Sequence, residues 1–405
     1  MKILHTADWH IGKKLQKHEL KEDFDLFIEW LCATIKSHEI EVLLVSGDIF
    51  DLANPSSEAR TQYYKALLKL RNLNCKIILT GGNHDSPAML DAPQEILRNL
   101  DIEVIGGLPK DISQTLIPVK NKAGNLEFIV AALPYLRDTD LRKGNEGVSY
   151  DDRLEAIREG IASKFNAAAE ICKTSYPNIP VIAMGHLYAA GIETSDSERD
   201  IQIGNQAAFQ ASQFGEYFKY IALGHIHKPQ RVNALVPTFY SGSPIPLSFS
   251  ERKDEKRVLI LDTSKSWEPE SIPVPSFRKL IRISGNLAQL TDNLYNLPDN
   301  DGLDHLIEVV LKEPKYDVQK IYQFDQLTSQ FEKNGYQIVK NFTDFDENLQ
   351  GTSALYESNQ QLEDLKPKDV FIKLVDQQDL DQEDKQDILS AFDEILEEVQ
   401  NPINS

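Results

Sequence analysis

Up to about residue 262, short apolar runs of the chain alternate with amphipathic stretches. The amphipathic stretches predict helices around residues 20–38, 57–73 and 151–174. The runs between them are rich in β-branched residues and predict strands: KILHTA, EVLLVSGD, KIILTGGNHD, QTLIPV, LEFIVAALP, IPVIAMGH, FKYIALGHIH, TFYSGS and KRVLILD. Strands that first alternate with helices and then follow one another predict a layered α/β sandwich, in which sheets are flanked by helices.

A second pattern begins at the segment WEPESIPVPS, which carries three prolines and is typical of a linker. Between residues 277 and 345, the runs RKLIRIS, HLIEVVL and YQIVKNF, with a helix after each of the first two, predict a small α+β unit. A polar stretch then leads to a final amphipathic helix with apolar positions Ile388, Leu389, Phe392, Ile395, Leu396 and Val399. This helix either packs on its own core or docks on a partner.

The composition is ordinary for a water-soluble protein, with 405 residues of which 41% are hydrophobic and 26% charged. No apolar stretch approaches the length that crosses a bilayer. Because the chain opens directly with a strand-like run, we also expect no signal peptide. Cys32, Cys75 and Cys172 lack metal or redox spacing, so we expect structural thiols in a reducing cytoplasm.

The formal net charge of −20 argues at first against a nucleic-acid partner. Its distribution weakens that objection. Residues 261–405 hold 13 Lys and Arg against 29 Asp and Glu, whereas residues 1–260 hold 30 against 34. The acidity therefore belongs mainly to the C-terminal third of the chain.

Five predicted strands end in residues that bind metal ions: Asp8-x-His10, Gly47-Asp48, Gly82-Asn83-His84-Asp85, Gly185-His186 and Gly224-His225-x-His227. Ligands of open α/β sheets gather beyond the carboxyl ends of strands. Carboxylates, one amide oxygen and imidazoles, without thiolates, suit Mn²⁺, Mg²⁺, Fe²⁺ or Zn²⁺. Each motif alone is also typical of a turn or of a hydrogen-bonded core histidine. All five in this order, each closing a strand, indicate a dinuclear metal site instead.

The ordered set resembles the signature of the calcineurin-like metallophosphoesterases over residues 1–227. Narrower motifs are similar to those of the SbcD nucleases, the bacterial counterparts of the Mre-type nucleases: HTADWHIGKKL, GDIFDLANPSSEA, SDSER and YSGSPIPLSFSE. The resemblance implies a four-layer sandwich of two sheets flanked by helices over residues 1–265. It further implies a small α+β capping, DNA-binding domain over residues 277–345 and a helical partner-docking tail over residues 361–401.

The resemblance also implies roles for the residues of these motifs. One ion would be held by Asp8, His10, Asp48 and His227, and the other by Asp48, Asn83, His186 and His225. His84 would donate to the phosphate or protonate the departing sugar oxygen, and Asp85 would orient it. The two divalent ions would be Mn²⁺, with Mg²⁺ as the alternative.

On this resemblance we expect a DNA exonuclease and single-strand endonuclease that processes double-strand breaks and hairpins with an SMC-like ATPase, SbcC. A homodimer within a heterotetramer is implied in the same way. Lys13 and Lys14 either contact DNA phosphates or are simply solvated. Two alternatives stay open: a small-molecule phosphodiesterase or phosphatase of the same superfamily, and a scaffold whose metal site is inactive.

Overall fold

The computed structural model describes residues 1–141, 150–195, 198 and 208–345, together with Val375, Lys385, Ile388, Leu389 and Phe392. Its helices are α1 (Lys21–His38), α2 (Ser57–Arg71), α3 (Pro87–Asp91), α4 (Gln94–Arg98), α5 (Asp138–Leu141), α6 (Tyr150–Ser175), α7 (Leu287–Tyr295) and α8 (Val318–Ser329). Short 3₁₀ turns lie at Ile112–Thr115, Ala211–Phe214 and Phe249–Lys253. The three helices predicted in the first part of the chain are α1, α2 and α6, and all three are confirmed.

The strands range from two to ten residues in length. They are β1 (Lys2–Thr6), β2 (Lys14–Leu15), β3 (His18–Glu19), β4 (Val42–Ser46), β5 (Lys76–Thr80), β6 (Ile102–Ile105), β7 (Leu116–Lys120), β8 (Leu126–Ala132), β9 (Val181–His186), β10 (Tyr220–Gly224), β11 (Gln230–Arg231), β12 (Thr238–Tyr240), β13 (Arg257–Asp262), β14 (Glu270–Pro273), β15 (Leu280–Gly285), β16 (His305–Glu313) and β17 (Tyr336–Phe345).

Two six-stranded sheets form the sandwich. The first has the order β14-β13-β1-β4-β5-β6, and β1, β4, β5 and β6 run parallel. The second has the order β11-β12-β10-β9-β8-β7, in which β8, β9, β10 and β12 run parallel. Since parallel neighbours end at the same edge, the carboxyl ends of β1, β4 and β5 meet in one sheet and those of β9 and β10 in the other.

The apolar core follows the two-residue period of the strands. In β4, Val42 and Leu44 pack in a cluster shared with the second sheet, whereas Leu43 and Val45 pack in a cluster with α1 and α2. The second sheet divides in the same way, since alternate residues of β8 pack with the first sheet and with α6. Both faces of each sheet are therefore covered, which explains the continuous apolar runs of the central strands. The predicted four-layer sandwich is confirmed.

The proline-rich segment WEPESIPVPS differs from its prediction. Glu270–Pro273 forms β14, which pairs antiparallel with β13 at the edge of the first sheet. Proline is tolerated there because an edge strand can leave one side of its backbone unpaired. The segment is thus in part an edge strand of the sandwich, not only a linker.

A third sheet has the order β15-β16-β17. The chain divides into two compact units, the first made of Met1–Arg282, Pro298–Glu308 and Glu332–Lys340. The second comprises Ile283–Leu297, Val309–Phe331 and the described residues from Asn341 onward. In this second unit α7 begins with a capping box, in which Asn286 and Gln289 each accept from the other's backbone N–H.

The expected boundaries at residues 265, 277 and 345 stay predictions, as does the partner-docking tail. Of the six apolar positions of the final helix, Ile388, Leu389 and Phe392 are described and are helical. Ile395, Leu396 and Val399, like most of the range 361–401, lie outside the described residues.

The three cysteines are free thiols, and Cys75 and Cys172 are buried. Burial raises the pKa of the Cys75 thiol to about 12, so this thiol stays protonated and unreactive at neutral pH.

Within the described residues, none of the helices combines the length and the apolar character that crossing a membrane requires.

Candidate metal centre

The strand ends that carry the predicted ligands have an unusual backbone. Asp8, His10, Asp48 and His225 have φ angles of 54°, 46°, 49° and 98°, in the region that side chains other than glycine seldom adopt. Hydrogen bonds between the two loops hold this geometry, since the Asp8 N–H donates to Gly47 O and the His10 N–H to Asp48 O. Such conformations cluster at functional sites, where the surrounding structure enforces them.

At two positions of the motifs, steric contacts explain why the residue is glycine. A Cβ on Gly224 would lie 1.7 Å from the backbone oxygen of Ser46. The absence of a Cβ therefore allows the end of β10 to approach the end of β4 in the other sheet. A Cβ on Gly82 would lie 2.2 Å from Asp48 Oδ1. Only glycine therefore permits the two sheets and the loop after β5 to meet around the Asp48 carboxylate.

The first group of side chains consists of Asp8, His10, Asp48 and His227, all of them buried. One ligand atom from each lies within 4.8 Å of the others. His10 Nε2 is 3.1 Å from His227 Nε2 and 3.5 Å from Asp48 Oδ2. Two imidazole nitrogens this close, next to a carboxylate, form an arrangement that suits a shared cation.

The second group contains Asp48, His186 and His225, again with ligand atoms within 4.8 Å of one another. His186 Nε2 lies 3.3 Å from Asp48 Oδ2 and 2.9 Å from Asn83 Oδ1. Asn83 Oδ1 is also 3.1 Å from His225 Nδ1, so the amide oxygen completes this group. Asp48 belongs to both groups, and its carboxylate therefore lies between two candidate ion positions.

Three of the rings are anchored through Nδ1. The partner of His10 Nδ1 is Asp51 Oδ1 at 3.2 Å, and that of His186 Nδ1 is the Ser46 backbone oxygen at 3.0 Å. His227 Nδ1 lies 3.4 Å from Glu251 Oε1. An acceptor at Nδ1 fixes the tautomer that leaves the Nε2 lone pair free for a metal.

The donor set fits a pair of divalent cations. Asp8 Oδ2 and His225 Nε2 are buried and have no hydrogen-bond partner among the described residues, although such groups are normally satisfied. Burial raises the pKa of Asp8 to about 7 and lowers the pKa of His10 to about 4. Burial disfavours the charged forms of these two groups, and bound cations would compensate the negative charge of the carboxylates.

His84 lies beside this cluster, with its ring centroid 4.6 Å from that of His10. Its Nδ1 is 2.8 Å from the backbone oxygen of Asp51, and its backbone N–H donates to Asp48 Oδ1. The expected orientation of His84 by Asp85 stays a prediction. The Asp85 carboxylate accepts from the backbone N–H groups of Ile49, Phe50 and Gly82.

Sequence reasoning missed Asp51, Glu198, Glu251 and Lys256, which surround the ligands. The signal for three of them was present, because Asp51, Glu198 and Glu251 lie inside the motifs GDIFD, SDSER and YSGSPIPLSFSE. The two lysines singled out after the first motif make ion pairs. Lys13 Nζ lies 3.1 Å from Asp51 Oδ1, and Lys14 Nζ lies 2.6 Å from Glu19 Oε1.

Comparison with known proteins gives two family matches. Residues 1–229 match the calcineurin-like phosphoesterase family, and residues 276–379 match the family described as the type 5 capsule protein repressor C-terminal domain. The chain is similar to the SbcD subunit of the nuclease SbcCD from Rhodobacter capsulatus, with 37% identity covering 70% of this chain and 71% of the relative. The SbcD protein of Escherichia coli is 32% identical over 80% of this chain and 81% of its own length. That of Bacillus subtilis is 35% identical over 66% and 68%.

Proposed function

Because this chain belongs to the SbcD nuclease subunits within the calcineurin-like phosphoesterases, we propose that it hydrolyses phosphodiester bonds of DNA. It is a metal-dependent nuclease of that family. The single observation that carries the proposal is the Asp48 carboxylate, which is shared by two buried groups of side chains that could each hold a metal ion. A bridging carboxylate is what a dinuclear phosphodiesterase requires.

The proposed ligands divide into two sets around Asp48. Asp8, His10 and His227 would complete the first site, and Asn83, His186 and His225 the second. When bound, the two divalent ions supply electrostatic stabilisation of the phosphate and lower the pKa of water to produce a nucleophile. We propose Mn²⁺ as the physiological ion because the resemblance to the SbcD nucleases implies it. The donor set of oxygen ligands and imidazoles without a thiolate is compatible with Mn²⁺, as it is with Mg²⁺, Fe²⁺ or Zn²⁺.

A histidine of the chain can supply the proton that the leaving group requires. The Asp51 carbonyl accepts from His84 Nδ1, which fixes the ring and leaves Nε2 as the nitrogen that exchanges a proton with the substrate. When it is protonated at both nitrogens, His84 can either donate to a phosphate oxygen or protonate the departing sugar oxygen through Nε2. Asp85 supports the reaction indirectly, because its three backbone bonds tie the GNHD loop to the segment after Asp48.

The proposed partner is taken from the name that the relatives share, and the proposed substrates from the resemblance to the SbcD nucleases. We propose double-stranded DNA ends and hairpins as substrates, with cleavage as exonuclease and single-strand endonuclease. An SbcC-type ATPase would bind the tail over residues 361–401 and supply basic DNA-binding surface, while residues 277–345 would form the capping domain. Two copies of each protein would make a heterotetramer.

The test uses the full chain, loaded with Mn²⁺, with and without the ATPase. Linear duplex DNA, hairpin DNA and a chromogenic phosphodiester serve as parallel substrates. Cleavage of DNA that requires metal supports the proposal. Turnover of the chromogenic ester alone, with DNA untouched in the presence of the ATPase, would assign the chain to small phosphodiesters. Two bound ions without turnover of any substrate would indicate a scaffold.

A further inference from the structure

Behind the metal-binding side chains lies a buried ion pair that the proposed mechanism does not use. Glu251 and Lys256 are both buried, and Lys256 Nζ donates to Glu251 Oε2 at 2.5 Å. Removing two charges from water costs more than their attraction usually returns, so such a pair is weak grounds for a stabilising role. Its contacts with His227 give it a different role.

The two carboxylate oxygens of Glu251 have different neighbours. Oε2 accepts from Lys256, from Ser243 Oγ at 3.1 Å and from the Leu247 N–H at 3.2 Å. Oε1 lies 3.4 Å from His227 Nδ1 and also accepts from Ser195 Oγ and Ser248 Oγ, each at 3.3 Å. Oε2 thus fixes the carboxylate in the fold, and Oε1 faces the histidine ring together with two serine hydroxyl groups.

Both the backbone and the ring of His227 are held in place. Its backbone N–H donates to Glu198 Oε1 at 2.8 Å, and its backbone oxygen accepts from Lys256 Nζ at 3.0 Å and from the Ser243 N–H at 3.2 Å. Its ring contacts Glu251. Gly242, with φ of 77°, lets the chain pass close to the backbone oxygen of His227, because a Cβ at Gly242 would lie only 2.6 Å from that oxygen.

We propose that Glu251, fixed by Lys256, is a positioning residue that holds His227 in the tautomer protonated at Nδ1 and directs Nε2 to the first metal site. This inference rests on the proposed dinuclear site. A carboxylate on the second nitrogen of a metal-binding histidine sets the ring orientation and raises its basicity as a ligand. His10 has a carboxylate on Nδ1 too, in Asp51, so the two imidazoles of the first site are oriented by the same device. In His186, by contrast, the partner of Nδ1 is the neutral backbone carbonyl of Ser46.

The first experiment measures metal binding rather than turnover. The double variant Glu251→Gln/Lys256→Met removes both charges at once and so leaves no uncompensated ion in the core. Calorimetric titration of the metal-free full chain with Mn²⁺ should show one of two sites weakened by about 10- to 100-fold, with the other unchanged. The electron paramagnetic resonance signal of a spin-coupled Mn²⁺ pair should then be lost at metal concentrations that fill the wild-type pair.

The matched control is the buried pair of Asp23 and Arg278, in which Arg278 Nε donates to both carboxylate oxygens at 2.8 and 3.0 Å. The other partners of Arg278 are Asp304 and Glu22, outside the ligand set. Asp23→Asn/Arg278→Met should bind both ions as the wild type does. Wild-type affinity for two ions in the Glu251/Lys256 variant would overturn the inference, whereas a wild-type chain that binds no pair would overturn the proposed function itself.

A second measurement needs no variant that has to fold with altered charges. In the full chain loaded with Zn²⁺, which is diamagnetic, nitrogen-15 spectra of the histidine rings report which nitrogen carries the proton. The His227 signal is assigned by its absence in His227→Asn. A protonated Nδ1 and a metal-bound Nε2 support the inference, and a protonated Nε2 would overturn it.

Discussion

His84 Nδ1 lies 2.8 Å from the backbone oxygen of Asp51, three residues after the shared carboxylate Asp48. The main chain therefore orients the ring that we propose as the general acid. We expect His84→Ala to bind two ions with nearly unchanged affinity and to hydrolyse substrate roughly 10²–10⁴-fold more slowly, the range for a positioned acid or base. Metal content and rate are measured on the same preparation. Loss of metal in proportion to activity would make His84 a ligand.

Unlike His84→Ala, the substitution Asp48→Ala should abolish metal binding as well as hydrolysis. Because the carboxylate belongs to both groups, its removal takes one ligand from each ion, so both occupancy and hydrolysis should collapse. The fold should persist, since β4 ends before this residue. Metal analysis and circular dichroism check both parts. Two retained ions with activity within a few-fold of wild type would contradict the shared role.

Metal affinity should depend on pH in a defined direction. Burial raises the pKa of Asp8 to about 7. For His186, burial lowers the pKa, but the neighbouring Asp48 carboxylate outweighs this and raises it to about 9. In the metal-free protein, both groups are protonated at pH 6, and both must lose a proton to become ligands. Affinity should therefore rise from pH 6 to pH 9, about tenfold per unit for each proton released.

Calorimetry of Mn²⁺ binding at pH 7, repeated in buffers of different protonation enthalpy, counts the released protons directly. At least one proton per filled pair is expected, chiefly from His186, because Asp8 is about half ionised there. An affinity that does not change between pH 6 and 9 would show that neither group is protonated in the metal-free site.

Asp85→Ala should act on stability first. The carboxylate accepts three backbone N–H groups, from Ile49, Phe50 and Gly82, at 2.8 to 3.0 Å. Each buried donor left unpaired costs about 1–3 kcal/mol, so a loss of about 3 kcal/mol or more is expected in urea unfolding. His84→Ala, which leaves these bonds in place, is the matched control and should unfold near the wild-type midpoint. Equal stability of the two variants would argue against the structural role.

The strand ends show how much of the candidate site can be predicted from the sequence. Each ligand closes an apolar run, and parallel strands end at one edge, so their proximity follows from pattern and topology alone. The left-handed conformation of Asp8 and Asp48 does not follow, because these residue types also adopt ordinary turns. Nor does the role of Asp85, whose partners Ile49 and Phe50 are main-chain groups that carry no signature in the sequence.

Glu198 and Glu251 lie inside motifs of the sequence, but their pairing with His227 does not follow from the motifs. They are 29 and 24 residues away from His227 in the chain, and only the folded structure brings them into contact with it. Strand β14 was hidden by its prolines, which argue against a central strand but not against an edge. The sequence pattern thus predicted the layers of the sandwich and which candidate ligands lie close together, whereas the contacts that hold these side chains depend on tertiary structure.

The tail carries the last prediction, since its role depends most on the family. Ile388 is 38% exposed, so at least one apolar position of the predicted stripe is available for a partner. A chain that ends at Gln350 should hydrolyse a chromogenic phosphodiester at nearly the full rate, because every proposed ligand lies before that point. Its affinity for the SbcC-type ATPase should fall by roughly 30-fold or more, since a few apolar anchors usually dominate a helix in a groove.

A helix packed on its own nuclease domain would give the reverse result: a lower melting temperature for the shortened chain and unchanged affinity for the ATPase. Ile388→Asp in the full chain separates the two further, because it alters one apolar position without removing any other residue. Weaker complex formation at an unchanged melting temperature would place this position in the interface. Lost thermal stability with an intact complex would reject the docking role, and it would leave the metal site untouched because Asp48 and its neighbours lie in the sandwich.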